Sequence, residues 1–231
     1  MKILGIDTSG QQATAAIVDS YITIGEIMLN ARTGEKSWTH SEILMPGIES
    51  MFNLTGLSID SMDYIAYTNG PGSFTGLRIG ASTALGLAHG LNKPVIAVPT
   101  LEALAYNISD RVEQIVPMMD ARRSQVYFAV YQSDKKSAKK IVEDDALPIS
   151  DVIEKLDKTK PTIFIGDGAD ENRTAILELF PGAMFAPQNM NRVRGASVAL
   201  WAMHHINTAR AAADNVEISY IRAPQAVREK A

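Results

Sequence analysis

The sequence predicts an α/β protein of two similar halves, each a mixed β-sheet with helices on its faces. Three observations carry that prediction. Each half opens with a run of short strand patterns. Each run then gives way to alternating helical and strand patterns. The leading strand of each half ends in an aspartate, Asp7 in the first and Asp120 in the second. The 231 residues suffice for two domains of ordinary size, divided as 1–109 and 110–231.

Ile3 to Asp7 is a short apolar strand that ends in a turn with Thr8, Ser9 and Gly10. Ala13 to Val18 and Tyr21 to Leu29 extend it into a meander, with Asp19 and Ser20 between them. Thr39 and Glu42 stand at capping-box spacing and open a helix. Ile43, Leu44, Ile48, Met51 and Phe52 then repeat at the helical period, with Pro46 inside as a bend. A strand from Asp63 to Thr68, a glycine-rich turn and a helix from about Thr75 to Leu91 follow. Pro94 to Val98 reads as a strand and Thr100 begins a helix.

The second half repeats the order. Ile115 to Met119, Gln125 to Tyr131 and Ala138 to Val142 make another meander. A helix near Ser150 to Leu156, a strand from Thr162 to Ile165 and a helix after Gly168 come next. A closing helix from Ala196 to about Ala209 carries Val198, Trp201, Ala202 and His205 on one side.

Composition excludes several function classes. The absence of cysteine rules out disulfides and thiolate metal sites. No leader pattern stands at the N-terminus, and no stretch stays apolar for the roughly 20 residues that a membrane span needs. A cytoplasmic protein that meets no membrane is expected. The formal net charge is −4, and the basic residues are scattered apart from Lys135, Lys136, Lys139 and Lys140. These lie against Glu143, Asp144 and Asp145, which makes a solvated hairpin edge rather than an RNA groove. Any contact with RNA is therefore expected to be indirect, because phosphate neutralisation provides much of such affinity. His40, His89, His204 and His205 form no His-x-x-x-His pair, and the adjacent His204 and His205 point about 100° apart on a helix. Metal or triad catalysis is not expected.

The most distinctive segment runs from Asn69 to Gly80, Asn-Gly-Pro-Gly-Ser-Phe-Thr-Gly-Leu-Arg-Ile-Gly. It joins a strand to a helix, where converging backbone N–H groups favour an anion. The spacing fits neither a P-loop nor a dinucleotide fingerprint, so it reads as a tight turn with close packing. Gly76, Gly80, Ala84 and Ala88 fall four apart and draw a small-residue stripe down the helix. Either the sheet beneath or a second chain could approach along it. Asp7-Thr8-Ser9 is similar to the phosphate-side hairpin of actin-like ATPases, with Asp120 as its counterpart. Gln11 and Gln12 after the first aspartate, and Arg122 and Arg123 after the second, depart from the glycine-rich form of a working phosphate turn.

Together the motifs resemble the TsaB family. They are Ile3 to Ser9, His40-Ser41-Glu42, Gly70 to Gly80, Pro94 to Leu104, Asp120-Ala121-Arg122-Arg123 with Val126-Tyr127, and Gly166-Asp167-Gly168. The resemblance implies a duplicated actin-like fold of the sugar kinase superfamily, without enzymatic activity of its own. It implies assembly with TsaD, the catalytic paralogue, and TsaE, an ATPase, to transfer threonylcarbamoyl to a tRNA adenosine beside the anticodon. The paralogue carries a His-x-x-x-His metal pair where this chain has Thr100 and Leu104. The chain alone is thus expected to hold no metal and no cofactor, with ATP or ADP placed at the interface of the complex. Asp7, Thr8, Ser9 and Asp120 are the candidates for any nucleotide contact. Ile48, Met51, Phe52, Gly76, Gly80, Ala84 and Ala88 are the candidate partner surface, shared between TsaD and a homodimer of the free chain. The competing readings are a stand-alone kinase or ATPase of the same fold, and a glycoprotease-like peptidase.

Overall fold

The computed structural model describes residues 1–30, 32–33, 36–108, 114–133, 138–212 and 218–221. It divides into two compact units, one formed by Met1–Ala103 with Val193–Ser219 and the other by Leu104–Arg192 with Tyr220–Ala231. The expected boundary at 109/110 lies outside the described residues, as do Lys135 and Lys136.

In the first unit β1 (Lys2–Asp7), β2 (Gln12–Asp19) and β3 (Ile22–Asn30) form the meander. A two-stranded ribbon, β4 (Arg32–Thr33) and β5 (Lys36–Ser37), precedes α1 (His40–Thr55). The capping residues behave as their spacing predicts: the Glu42 carboxylate accepts from the Thr39 N–H at 2.6 Å and its hydroxyl at 2.7 Å. Then come β6 (Tyr64–Gly70), α2 (Phe74–Leu91), β7 (Val95–Pro99) and α3 (Thr100–Tyr106). The sheet order is β3-β2-β1-β6-β7, antiparallel through the meander and parallel from β1 onward. β1 is central, so its Ile3, Leu4 and Ile6 are fully buried and the run is apolar on both faces.

In the second unit β8 (Gln114–Asp120), β9 (Val126–Ser133) and β10 (Ala138–Leu147) make the matching meander. α4 (Ile149–Glu154), β11 (Thr162–Ile165), α5 (Asp167–Glu171), α6 (Arg173–Leu179) and β12 (Met184–Phe185) follow. The order β10-β9-β8-β11-β12 repeats the first sheet strand for strand and with the same directions. This is the duplicated actin-like topology. β10 is an edge strand that alternates between half-buried and exposed positions, and Lys140 pairs there with Asp144 at 2.8 Å. The lysine cluster is a charged hairpin edge at Lys139 and Lys140, as its acidic neighbours implied.

The closing helix α7 (Gly195–His204) corrects the expected division, which assigned all of 110–231 to the second half. It lies on the first unit's sheet, on the face away from α1 and α2. Two glycines allow this. A Cβ on Gly5 would strike the Gly195 carbonyl, and a Cβ on Gly195 would strike the backbone of Ala15 and Ala16. Polar contacts hold the helix start: the Gly195 N–H donates to Thr14 Oγ1 at 3.1 Å, and Arg194 Nε donates to Glu26 Oε2 at 3.1 Å. Leu4, Ile6 and Ile17 fill the opposite face with Leu44, Ile48, Met51 and Phe52 of α1 and Ala84 and Ala88 of α2.

Candidate functional site

The turn after β1 and the glycine segment after β6 interlock. The Thr68 hydroxyl donates to Asp7 Oδ1 at 2.6 Å, and the Ser9 N–H donates to the same oxygen at 3.1 Å. The Ser73 N–H donates to the Ser9 carbonyl at 2.7 Å, and the Thr8 hydroxyl to the Gly76 carbonyl at 2.7 Å. Gly72, with φ of +156°, sits where a Cβ would press on Ser9. Ser73 caps α2 by accepting the Gly76 N–H at 3.2 Å. The glycine string is therefore a tight turn with close packing, built around Thr8 and Ser9.

Asp7, Thr8 and Ser9 are all buried, Asp7 to 3% exposure. Burial pushes the Asp7 carboxyl up from the usual range, while hydrogen bonds from Ser9 and Thr68 and the charge of His40 pull it back. The candidate Asp120 has a different setting. It is exposed at the end of β8, where its carboxylate accepts the Arg122 N–H at 2.7 Å and its own N–H donates to Asp167 Oδ1 at 3.2 Å. Arg122, Arg123 and Ser124 all lie in the left-handed region, with φ of +59°, +56° and +57°. The Asp167 carboxyl is pushed up by burial and eased down by Arg192, and that of Glu171 is raised by burial and by the charges of Asp120 and Asp167.

The partner-surface candidates need a correction. Gly76, Gly80, Ala84 and Ala88 are buried within their own unit. A Cβ on Gly76 would strike the Thr8 carbonyl, and one on Gly80 the Thr8 hydroxyl. The stripe admits the chain's own turn and sheet, so it offers no face to a second chain. Ile48, Met51 and Phe52 likewise enter the core beneath α1. Ile48 and Phe52 also line an apolar groove of about 480 Å³ with Met45, Pro46, Leu57 and Ile59. Met45 is 41% exposed at its rim.

The positions compared with a metal pair have structural duties. Thr100 is fully buried and its hydroxyl accepts the Gly70 N–H at 3.1 Å. Leu104 is buried, and its side chain lies beside Gly166. Sequence reasoning missed a second groove, between the end of α2 and residues 209–212, because its basic residues are far apart along the chain.

Comparison with known proteins follows the same lines. The family model described as TsaD, tRNA N6-adenosine threonylcarbamoyltransferase, matches residues 34–186. The tRNA threonylcarbamoyladenosine biosynthesis protein TsaB of Bacillus subtilis is 35% identical over 180 residues, 78% of this chain and 76% of its own length. TsaB of Escherichia coli is 33% identical over 137 residues, 58% of this chain, so the match spans 57% of that relative. The structure of YeaZ from Pseudomonas aeruginosa superposes with a TM-score of 0.77 at 23% identity, covering 95% of this chain and 99% of that one. The ethanolamine utilization protein EutJ from Carboxydothermus hydrogenoformans superposes with a TM-score of 0.54 at 11% identity, covering 87% and 89%.

Proposed function

The chain belongs to the TsaB family of tRNA threonylcarbamoyladenosine biosynthesis proteins, and from that membership we propose that it is the non-catalytic scaffold and activator subunit of the transferase assembly. In this reading it supports the catalytic paralogue TsaD and the ATPase TsaE in the cytoplasm. tRNA is acted on by the assembly and not by this chain alone. ATP or ADP belongs to the interface of the complex, and the free chain forms a homodimer. Among the described residues no helix is long and apolar enough to cross a membrane, which accords with this setting.

The observation that carries the reading is the use made of Thr100 and Leu104. The first satisfies a buried backbone N–H and the second fills the core beside Gly166, at the positions where the resemblance puts the paralogue's metal histidines. Asp7 supports the same view, since Thr68 and Ser9 of its own chain already hold its carboxylate. The partner surface is the α1 groove rather than the α2 stripe. TsaD is its occupant in this reading, because the TsaD family model matches residues 34–186, the stretch that includes α1.

A reconstitution tests the reading. Threonylcarbamoyl transfer to tRNA from an added activated threonylcarbamoyl donor is measured with TsaD and TsaE, with and without this chain, and with this chain alone. Transfer that depends on the chain, with none from the chain alone, is the expected result. Transfer or phosphate release by the lone chain would overturn it.

A further inference from the structure

The sequence holds one Asn-Gly pair, Asn69-Gly70. It ends β6, where the strand enters the glycine turn. In such a pair the backbone nitrogen after the asparagine can attack the side-chain amide, because glycine carries no side chain to hinder it. The fold leaves no freedom to replace that glycine. Gly70 has φ of +125°, and a Cβ there would strike the Ser219 carbonyl.

The peptide group between the two residues is held at both polar ends. The Gly70 N–H, whose proton must leave before any attack, donates to the hydroxyl of the fully buried Thr100 at 3.1 Å. The Asn69 carbonyl accepts the Ser219 N–H at 2.8 Å. The side chain is held less firmly, for the buried Asn69 Oδ1 has no hydrogen-bond partner among the described residues. The attacking nitrogen is tied, and the amide it would attack is unanchored at its oxygen.

We propose that Asn69-Gly70 is a latent deamidation site that Thr100 masks and that opening of this peptide group unmasks. Once the bond to Thr100 breaks, the Gly70 nitrogen loses its proton and attacks Asn69 Cγ. A cyclic imide closes and the side-chain nitrogen leaves as ammonia. Water then opens the imide at either carbonyl, restores the N–H and leaves aspartate or isoaspartate at this position. No oxidant or reductant takes part. Both products disturb the turn. Aspartate puts a carboxylate where Oδ1 was buried without a partner. Isoaspartate adds a methylene to the main chain just before Gly72 and Ser73, which pack against and hydrogen-bond to Ser9. The change is one-way, so a chain that has opened here does not regain the interlocked turn. The inference goes beyond the function proposed above and does not depend on it.

The test incubates the purified full chain at mildly alkaline pH and follows Asn69 by peptide mass spectrometry, with folding checked by thermal melting. Thr100→Val removes the mask and Thr100→Ser keeps the hydroxyl. Gly80→Ala strains the fold at Thr8 without touching this peptide group, so it reports the share of deamidation that comes through general unfolding. Folded Thr100→Val should deamidate at Asn69 about fivefold faster than the parent, the weight of one hydrogen bond. Thr100→Ser and Gly80→Ala should stay near the parent rate, and the parent unfolded in urea should exceed every folded form. A folded Thr100→Val protein no faster than the parent overturns the proposal, and so does a Gly80→Ala protein that matches it. Should Thr100→Val not fold, the parent decides: deamidation at Asn69 as fast in the folded chain as in urea means that nothing masks the site.

Discussion

The Thr8 hydroxyl donates to the Gly76 carbonyl at 2.7 Å, a bond between residues 68 apart that ties the first turn of α2 to the end of β1. Gly76 and Gly80 are the positions that let Thr8 approach so closely. Helix propensity alone would favour alanine at both by roughly 1 kcal/mol. The packing reverses that preference.

Gly76→Ala and Gly80→Ala are each expected to destabilise the protein by about 1–3 kcal/mol, the usual cost of overpacking. They differ in what relieves them. The Gly80 clash is with the Thr8 hydroxyl, so adding Thr8→Ala should remove most of its cost. The Gly76 clash is with the Thr8 backbone, so the same addition should not help. Urea unfolding of the two double-mutant cycles reads the difference. Equal coupling in both cycles would show that this account of the stripe is wrong.

Asp7 gives a pH prediction of definite sign. Its folded pKa is raised, so its contribution is most favourable below the unfolded value of about 3.9 and is lost as pH rises through the folded value. Asp7→Asn can keep both hydrogen bonds to Oδ1 while removing the buried charge. The variant should therefore gain stability over the parent at pH 7, and the gain should shrink toward pH 3.5. Chemical denaturation at the two pH values measures it. A gap independent of pH would mean that the ionised carboxylate carries no burial penalty.

How much of this was legible in the sequence follows from distance along the chain. The Thr39–Glu42 cap, α2 and β11 were readable because capping, periodicity and apolar runs are local. β12 spans only Met184–Phe185, too short for a pattern. The destination of α7 depends on Gly5 meeting Gly195, and nothing near either glycine announces it. The four-residue stripe was visible, but Thr8, which meets its two glycines, lies 68 residues from Gly76 along the chain, so partner and self could not be told apart from spacing. His89, Lys93 and Arg210 looked scattered for the same reason.

Thr100 tests the structural duty assigned to it. Thr100→Val removes the acceptor for the buried Gly70 N–H and is expected to cost about 1–3 kcal/mol. Thr100→Ser keeps the hydroxyl and should recover most of that loss. Thermal melting of the two variants decides the matter, and a Thr100→Val protein that melts with the parent while Thr100→Ser does not would point to the methyl group rather than the hydrogen bond.

The partner surface can be tested at Met45 without touching the core. The four small residues of α2 and Met51 are buried, so substitutions there would confuse unfolding with lost binding. Met45 is 41% exposed on α1 and lines the apolar groove with Pro46, Ile48 and Phe52. Met45→Glu places a carboxylate on that wall beside Glu49, which already lines the groove. A partner helix would have to desolvate that charge, at a cost of several kcal/mol if it were fully buried and less at a wet rim. Affinity for TsaD should fall at least tenfold by calorimetric titration while the melting temperature stays within about a degree or two. The homodimer of the free chain should dissociate in parallel by sedimentation, because the two associations are proposed to share the groove. A Met45→Glu protein that is folded and binds TsaD with undiminished affinity would remove α1 from the interface. Loss of TsaD binding with an intact homodimer would separate the two surfaces.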